Sequence, residues 1–213
     1  MRAVSFHIKE KTFMLTVLNY GGGNLKSVAN LLDSIDCPYV VSDKPADIAA
    51  ADKIIFPGQG HFGQVMNALT FNGLAEPLRR SIARNVPFLG ICVGLQVLFD
   101  SSEEAPGIAG LGVLKGKIVR FTQGKIPQIG WNNIDLKQKD SCLTADYYYF
   151  VNSYHAVCDD PSVVCAMANY HIPFTAAVKS GNVTATQFHP EKSGRTGRET
   201  VLRWIKQQKG QPC

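Results

Sequence analysis

Pro87-Phe88-Leu89-Gly90-Ile91-Cys92-Val93-Gly94-Leu95-Gln96-Val97-Leu98-Phe99 reads as a short apolar run that turns sharply and restarts with an apolar pattern suited to a helix. A run of this length and composition suits a parallel strand buried on both faces. Cys92 therefore falls at a strand-to-helix corner, with Gly90 and Gly94 two positions on either side. Bulkier residues there would collide with the adjoining strand and helix. This is the cysteine form of a nucleophile elbow. The corner sets the sulfur at a helix N-terminus, whose partial positive charge favours thiolate over thiol. The amide of Val93, the next residue, points into the same space and suits a developing oxyanion.

Outward from this corner the chain alternates strands and helices. Leu15 to Leu18, Tyr39 to Val41 and Lys53 to Phe56 read as strands, with helices over Leu25 to Ser34 and Leu74 to Arg84. From Gly110 onward β-type stretches dominate: Lys117 to Phe121, Tyr147 to Val151, Val163 to Ala168, Thr175 to Val178 and Val183 to Gln187. A terminal helix is expected from about Gly197 to Gln208. The expected fold is α/β, an open, mostly parallel sheet flanked by helices, with additional β-rich segments in the second half. In such sheets sites collect where parallel strands end, and the loops at Tyr20, Pro57 and Cys92 all follow strands.

Thr184-Ala185-Thr186-Gln187-Phe188 delivers a second chemical element, His189-Pro190-Glu191. Proline fixes its own φ and pushes the preceding residue toward extended backbone. Residues i and i+2 of an extended stretch face the same way. The expectation is that Glu191 lies beside the His189 imidazole, fixes its tautomer and leaves the other ring nitrogen to a thiol. Cys92, His189 and Glu191 then form a nucleophile, a base and an orienting carboxylate, the parts of a covalent acyl-transfer site.

The chain has 213 residues, 45% of them hydrophobic, enough to bury one core, and one domain is the default. Residues 1 to 14 precede the first strand, include Arg2, Lys9, Glu10 and Lys11, and lack an apolar signal core. They read as an N-terminal extension, disordered or non-native, with the domain proper over residues 15 to 213. Cysteines 37, 92, 142, 158, 165 and 213 include no Cys-x-x-Cys pair and no companion histidines at zinc spacing. No metal, cofactor or disulfide framework is suggested, and a reducing cytoplasm fits. The net charge of +5 is scattered, without the basic stripe and interleaved aromatics of a nucleic-acid binder. No apolar run approaches the roughly 18 residues of a membrane span. Tyr20-Gly21-Gly22-Gly23-Asn24 lacks both the dinucleotide pattern and a phosphate-binding lysine, so a nucleotide site is rejected. His61 reads as a structural loop histidine.

Gly90-x-Cys92-x-Gly94-x-Gln96 with the later His189-Pro190-Glu191 resembles the class I glutamine amidotransferases, the triad glutaminases. The stretches Asn19 to Leu25, Phe56 to Phe62, Pro127 to Asn132, Tyr149 to Tyr154 and His189 to Gly194 are similar to the glutaminase subunits of imidazole glycerol phosphate synthase, from about Leu15 to near Gln208. The resemblance implies hydrolysis of L-glutamine to glutamate and ammonia, with no cofactor. It implies an oxyanion hole from Val93 with Gly58 and Gln59, and a substrate pocket of Gly60, Gln96, Ser153 and Tyr154. It implies a (β/α)8-barrel cyclase partner that receives the ammonia and makes imidazole glycerol phosphate and an aminoimidazole carboxamide ribotide. Asn24, Trp131, Asn132, Tyr149 and Lys192 match segments at that contact, although a core position for Trp131 is as good a reading from sequence. Asn19, Gln59 and Asn152 depart from the residues common in those subunits. Two rivals stay open: the glutaminase of pyridoxal 5'-phosphate synthase, and a stand-alone γ-glutamyl cysteine hydrolase.

Overall fold

The computed structural model describes residues 13–138 and 142–207; residues 1–12, most of the expected extension, lie outside the described part, as does the final residue of the expected terminal helix. In chain order the strands are β1 (Leu15–Leu18), β2 (Val40–Ser42), β3 (Lys53–Phe56), β4 (Phe88–Ile91), β5 (Ser101–Ser102), β6 (Gly116–Arg120) and β7 (Gln128–Asn133). They continue with β8 (Asp135–Leu136), β9 (Tyr147–Asn152), β10 (Tyr154–Cys158), β11 (Val164–Tyr170), β12 (Ile172–Ser180) and β13 (Val183–Thr186). The helices are α1 (Leu25–Ser34), α2 (Pro45–Ala50), α3 (Phe62–Phe71), α4 (Ala75–Ala83), α5 (Val93–Gln96) and α6 (Gly194–Lys206).

Strands β2-β1-β3-β4-β13 lie side by side and parallel, as the alternation of elements predicts. The β-rich second half continues the same sheet through β12, β10, β6 and β5, with β8 and β11 attached beside β12. Here pairing is mostly antiparallel, because short turns such as that between β12 and β13 return the chain directly. A separate two-stranded ribbon, β7 with β9, packs against β11, α6 and the turn that follows His189.

Each central strand is buried on both faces, and side chains alternate between two cores. Ile54 and Phe56 of β3 and Phe88 of β4 face α2, α3 and α4, where Ile48, Val65, Leu69 and Leu78 pack. Ile55 of β3 and Leu89 and Ile91 of β4 face α1 and α6, against Val28, Leu32, Val201 and Trp204. Helices α2 and α3 were not marked by the sequence pattern. α2 has six residues and buries only Ile48, too few for a period to show, and α3 begins directly after the Gly-rich loop. The terminal helix starts at Gly194, three residues earlier than its apolar pattern indicates, because its first turn packs on the Pro190 turn, where a Cβ on Gly197 would lie 1.9 Å from the Pro190 carbonyl oxygen, and so carries no apolar period.

Candidate active site

The nucleophile corner is strained as its glycines imply. Cys92 has φ 51° and ψ −106°, an unusual backbone for a residue with a side chain. Its N–H donates to the Thr186 carbonyl at 2.7 Å, extending the β4–β13 pairing by one bond, and α5 follows at once. A Cβ on Gly90 would lie 2.5 Å from the Gly94 carbonyl oxygen, and one on Gly94 would lie 2.5 Å from the Phe56 carbonyl oxygen. Backbone runs against backbone on both sides of the elbow, so both positions require glycine. α5 is a single turn, shorter than the amphipathic pattern through Phe99 implies, and its dipole is correspondingly small. Val93 is its first residue, and a helix's first turn leaves such an N–H without an intrahelical partner.

His189 and Glu191 meet by a different local geometry from the extended one expected. After His189 the chain enters a 3₁₀ turn over Pro190–Lys192, in which the Lys192 N–H donates to the His189 carbonyl at 3.0 Å. The turn folds the carboxylate back onto the ring, with Nδ1 of His189 2.7 Å from Oε1 of Glu191. Both side chains are almost wholly buried, at 1% and 2% exposure. The His189 N–H donates to the Tyr149 carbonyl, and its carbonyl accepts from Ser193 Oγ at 2.7 Å, so the residue is held from both ends. Burial alone would push the imidazole down. The Cys92 sulfur, to which it hydrogen bonds, and the Glu191 carboxylate outweigh that and lift it to about 10. A ring protonated at neutral pH is a ready general acid.

Cys92 and His189 open into one cavity of about 250 Å³, which Gln59, Gly60, Gln96, Ser153 and Tyr154 also line. The structure thus gathers the expected nucleophile, base and substrate residues, drawn from four separate stretches of chain, around one space. Glu191 sits behind the ring. Gly58 stands against the corner itself: a Cβ there would lie 1.6 Å from the Ile91 carbonyl oxygen. The Gln59 N–H donates to the Tyr20 hydroxyl at 3.4 Å, and that hydroxyl donates to the Gln59 carbonyl at 2.6 Å. In this state the Gln59 amide is directed at Tyr20 rather than at the sulfur. Burial pushes the Tyr20 hydroxyl up to about 12, so it remains a donor. His61 caps α3, its Nδ1 accepting from the Gly63 N–H at 3.2 Å, and is structural.

Three contributors escaped the sequence reading. Glu104 lines the cavity and is its only carboxylate among the described residues; Oε2 accepts from the Phe62 N–H at 2.7 Å. Gln187 is fully buried beside the sulfur. Tyr20 holds the Gln59 backbone. The neighbouring acidic pair Glu103-Glu104 was a visible signal, but nothing local tied it to the distant cysteine.

The residues matched to a partner contact lie outside the cavity. Trp131 pairs across the β7–β9 ribbon with Tyr149, ring centroids 6.0 Å apart, and is 56% exposed. This resolves the even choice for Trp131 against the core. Ile129 and Tyr147 are exposed on the same ribbon, while Tyr148 and Phe150 point into the core. Asn132 Nδ2 donates to the Asn169 carbonyl, and Lys192 lies half-buried in the 3₁₀ turn. Asn24 precedes α1 without using its side chain as a cap. Asn19 accepts from the Gly21 N–H through Oδ1 at 3.0 Å, a turn that a neutral amide closes as well as a carboxylate would.

Residues 16–207 match the family model for glutamine amidotransferase class I. Among curated relatives, the imidazole glycerol phosphate synthase subunit HisH of Thermus thermophilus is 44% identical over 182 residues, covering 85% of this chain and 91% of the relative. That of Methanothermobacter thermautotrophicus is 41% identical over 198 residues, covering 90% and 98%. A chloroplastic imidazole glycerol phosphate synthase hisHF of Arabidopsis thaliana is 41% identical over 201 residues, which cover 90% of this chain and 34% of that longer protein. Among solved structures, a glutamine amidotransferase superposes with a TM-score of 0.73 at 19% identity, over 90% of this chain and 96% of the other, a likeness of fold. Among the described residues no helix is long and apolar enough to cross a membrane.

Proposed function

The chain belongs to the class I glutamine amidotransferase family, and from that premise we propose that it is the glutaminase subunit of an imidazole glycerol phosphate synthase in histidine biosynthesis, working in the cytoplasm. The observation that carries the reading is the meeting of Cys92, His189 and Glu191 around a cavity sized for one amino acid.

The Cys92 thiolate attacks the side-chain carboxamide carbon of glutamine. The oxyanion is held by the Val93 N–H and, once the loop turns its peptide inward, by the N–H of the Gly58-Gln59 segment. Protonated His189 gives its proton to the departing amine, releasing ammonia and leaving a thioester. The neutral imidazole then takes a proton from water, whose oxygen attacks the thioester and releases glutamate. Glu104 is placed to receive the substrate's α-ammonium, while Gln96, Ser153 and Tyr154 hold the same amino-acid end.

Ammonia is mostly protonated in neutral water and then unreactive, so its release is useful only beside an acceptor. The partner that fits is a (β/α)8-barrel cyclase that receives ammonia through its core and forms imidazole glycerol phosphate and the carboxamide ribotide. The long Arabidopsis relative, of which this domain would be about a third, is consistent with two activities working in contact. The exposed aromatic face of the β7–β9 ribbon, with Asn24 and Lys192, is the surface assigned to it. Trp131→Ala is expected to weaken that association at least roughly tenfold, since exposed aromatics at interfaces carry much of the binding. A titration of the partner, read by fluorescence or calorimetry, checks this, and an unchanged affinity removes Trp131 from the interface.

Glu191→Gln is expected to lower kcat on the order of a hundredfold, because the ring loses the carboxylate that holds its tautomer. The sign in pH follows from charge. The carboxylate favours the imidazolium, so its removal lowers the His189 value, and the alkaline limb of glutamate release moves to lower pH. A pH profile that keeps its alkaline limb in place would contradict this role. The experiment for the function as a whole is glutamate release from glutamine with and without the cyclase; no release under either condition overturns it.

A further inference from the structure

Besides His189, one other side chain among the described residues reaches the sulfur. Gln187 follows β13 directly, and its Nε2 donates to Cys92 Sγ at 3.5 Å. The side chain is fully buried, and the backbone is pinned by its own N–H donating to the Ala176 carbonyl at 2.8 Å.

A carboxamide has a donor end and an acceptor end, so what matters is which end faces the sulfur. The surrounding bonds decide it. The Tyr154 backbone carbonyl can only accept, and Gln96 presents Nε2 to it at 3.5 Å. The second hydrogen of that nitrogen goes to Gln187 Oε1 at 3.2 Å. With its oxygen engaged, Gln187 turns its own NH₂ to Cys92. One backbone oxygen of fixed polarity thus sets two buried amides in series, Gln96 and then Gln187, and the series ends at the nucleophile.

We propose that Gln187 is a catalytic residue of this site: it donates a hydrogen bond to the Cys92 sulfur, stabilises the negative charge there before attack, and keeps the sulfur facing the cavity. Hydrogen bonds to an ionised partner are about twice as strong as neutral ones, so the bond favours the attacking form and helps the sulfur leave when the thioester is hydrolysed. Gln96 is a positioning residue in this scheme. Because Gln96 also lines the cavity, contact with the substrate at Gln96 bears on the nucleophile through a single intervening amide. The proposal rests on the reading of Cys92 as the nucleophile.

The test measures the thiol itself, in the isolated full chain. Cys92 is alkylated with iodoacetamide at fixed pH, and the modified Cys92 peptide is quantified by mass spectrometry over time. Gln187→Leu is expected to slow alkylation of Cys92 roughly fivefold or more and to lower kcat for glutamate release by a similar factor, with KM changed less than about twofold. Gln96→Leu is expected to slow alkylation less and to raise KM, since it loses the orientation of Gln187 and a wall of the pocket. Where Gln187→Leu does not fold, Gln187→Met, unbranched and of similar length but without a donor, is judged by the same measurement. An unchanged alkylation rate in a folded Gln187 variant overturns the proposal. Wild-type chain that alkylates readily yet releases no glutamate with its partner overturns the glutaminase reading instead, so the two failures are distinct.

Discussion

Cys92→Ala removes glutamine-dependent synthesis by at least about four orders of magnitude, while the partner reaction driven by added ammonium salts persists. The size of the expected loss follows from what the alternatives offer. Without the sulfur, water must attack an unactivated carboxamide, and the oxyanion hole and binding alone recover only a small part of the rate. The selectivity of the loss follows from the geometry. The bond from the residue 92 N–H to the Thr186 carbonyl is made by backbone, and the side chain is half-buried at the margin of the core, where alanine deletes only the sulfur, so the variant keeps the elbow and the partner face. Parallel measurement of glutamate and of the cyclised product, with glutamine and then with ammonium, checks both halves. Equal loss with the two nitrogen sources would argue against a division of labour between this chain and a partner.

Lys53→Met is the variant expected to damage the fold most. Lys53 opens β3, the strand between β1 and β4, and is only 4% exposed. Its ammonium donates to the carbonyl oxygens of Trp204, Ile205 and Gln207 at the end of α6, and stands 5.4 Å from the centre of the Trp204 ring. A helix end leaves its last carbonyls without partners, and a cation there also complements the helix dipole. Methionine keeps the stem and deletes the donors. A loss of about 2–4 kcal/mol is expected, the cost of stranding several partly buried acceptors that one charge had satisfied. A lower urea midpoint at unchanged m-value would register it. Activity of the folded fraction should stay near that of the parent, because Lys53 lies at the opposite end of the sheet from the cavity. A midpoint unaltered by the change would mean that water serves those carbonyls equally well.

The elbow could be read directly from sequence because its constraint is local. Gly90 and Gly94 are spaced for a close approach that any side chain would block, and the apolar run before Cys92 has the composition of a strand buried on both faces. The histidine and carboxylate were legible as a pair for the same reason, though their contact comes from a 3₁₀ turn and not from an extended stretch. Gln187 was not recognised, although it stands in the same motif, because a lone amide carries no chemical signature until its neighbours are known. Glu104 and Tyr20 were hidden likewise: each acts on a residue about 40 positions away, through a bond to a backbone group that any sequence possesses. Trp131 could not be assigned to core or surface, because a ribbon of two strands has one face of each kind and its composition is aromatic on both.

The sequence by itself determined the strands of the parallel half with helices α1 and α4, the sulfur at a corner, and an imidazole carried beside its own carboxylate. Tertiary structure alone decided that β13 lies against β4, Thr186 opposite Ile91, which brings His189 and Gln187 to the sulfur from nearly a hundred residues away. Period and turn chemistry act over a few residues, through sterics and the burial of one face, and so leave a mark in the local pattern. The choice of a strand's neighbour is made by burial and hydrogen bonding summed over the whole sheet, and no short stretch of chain encodes that sum.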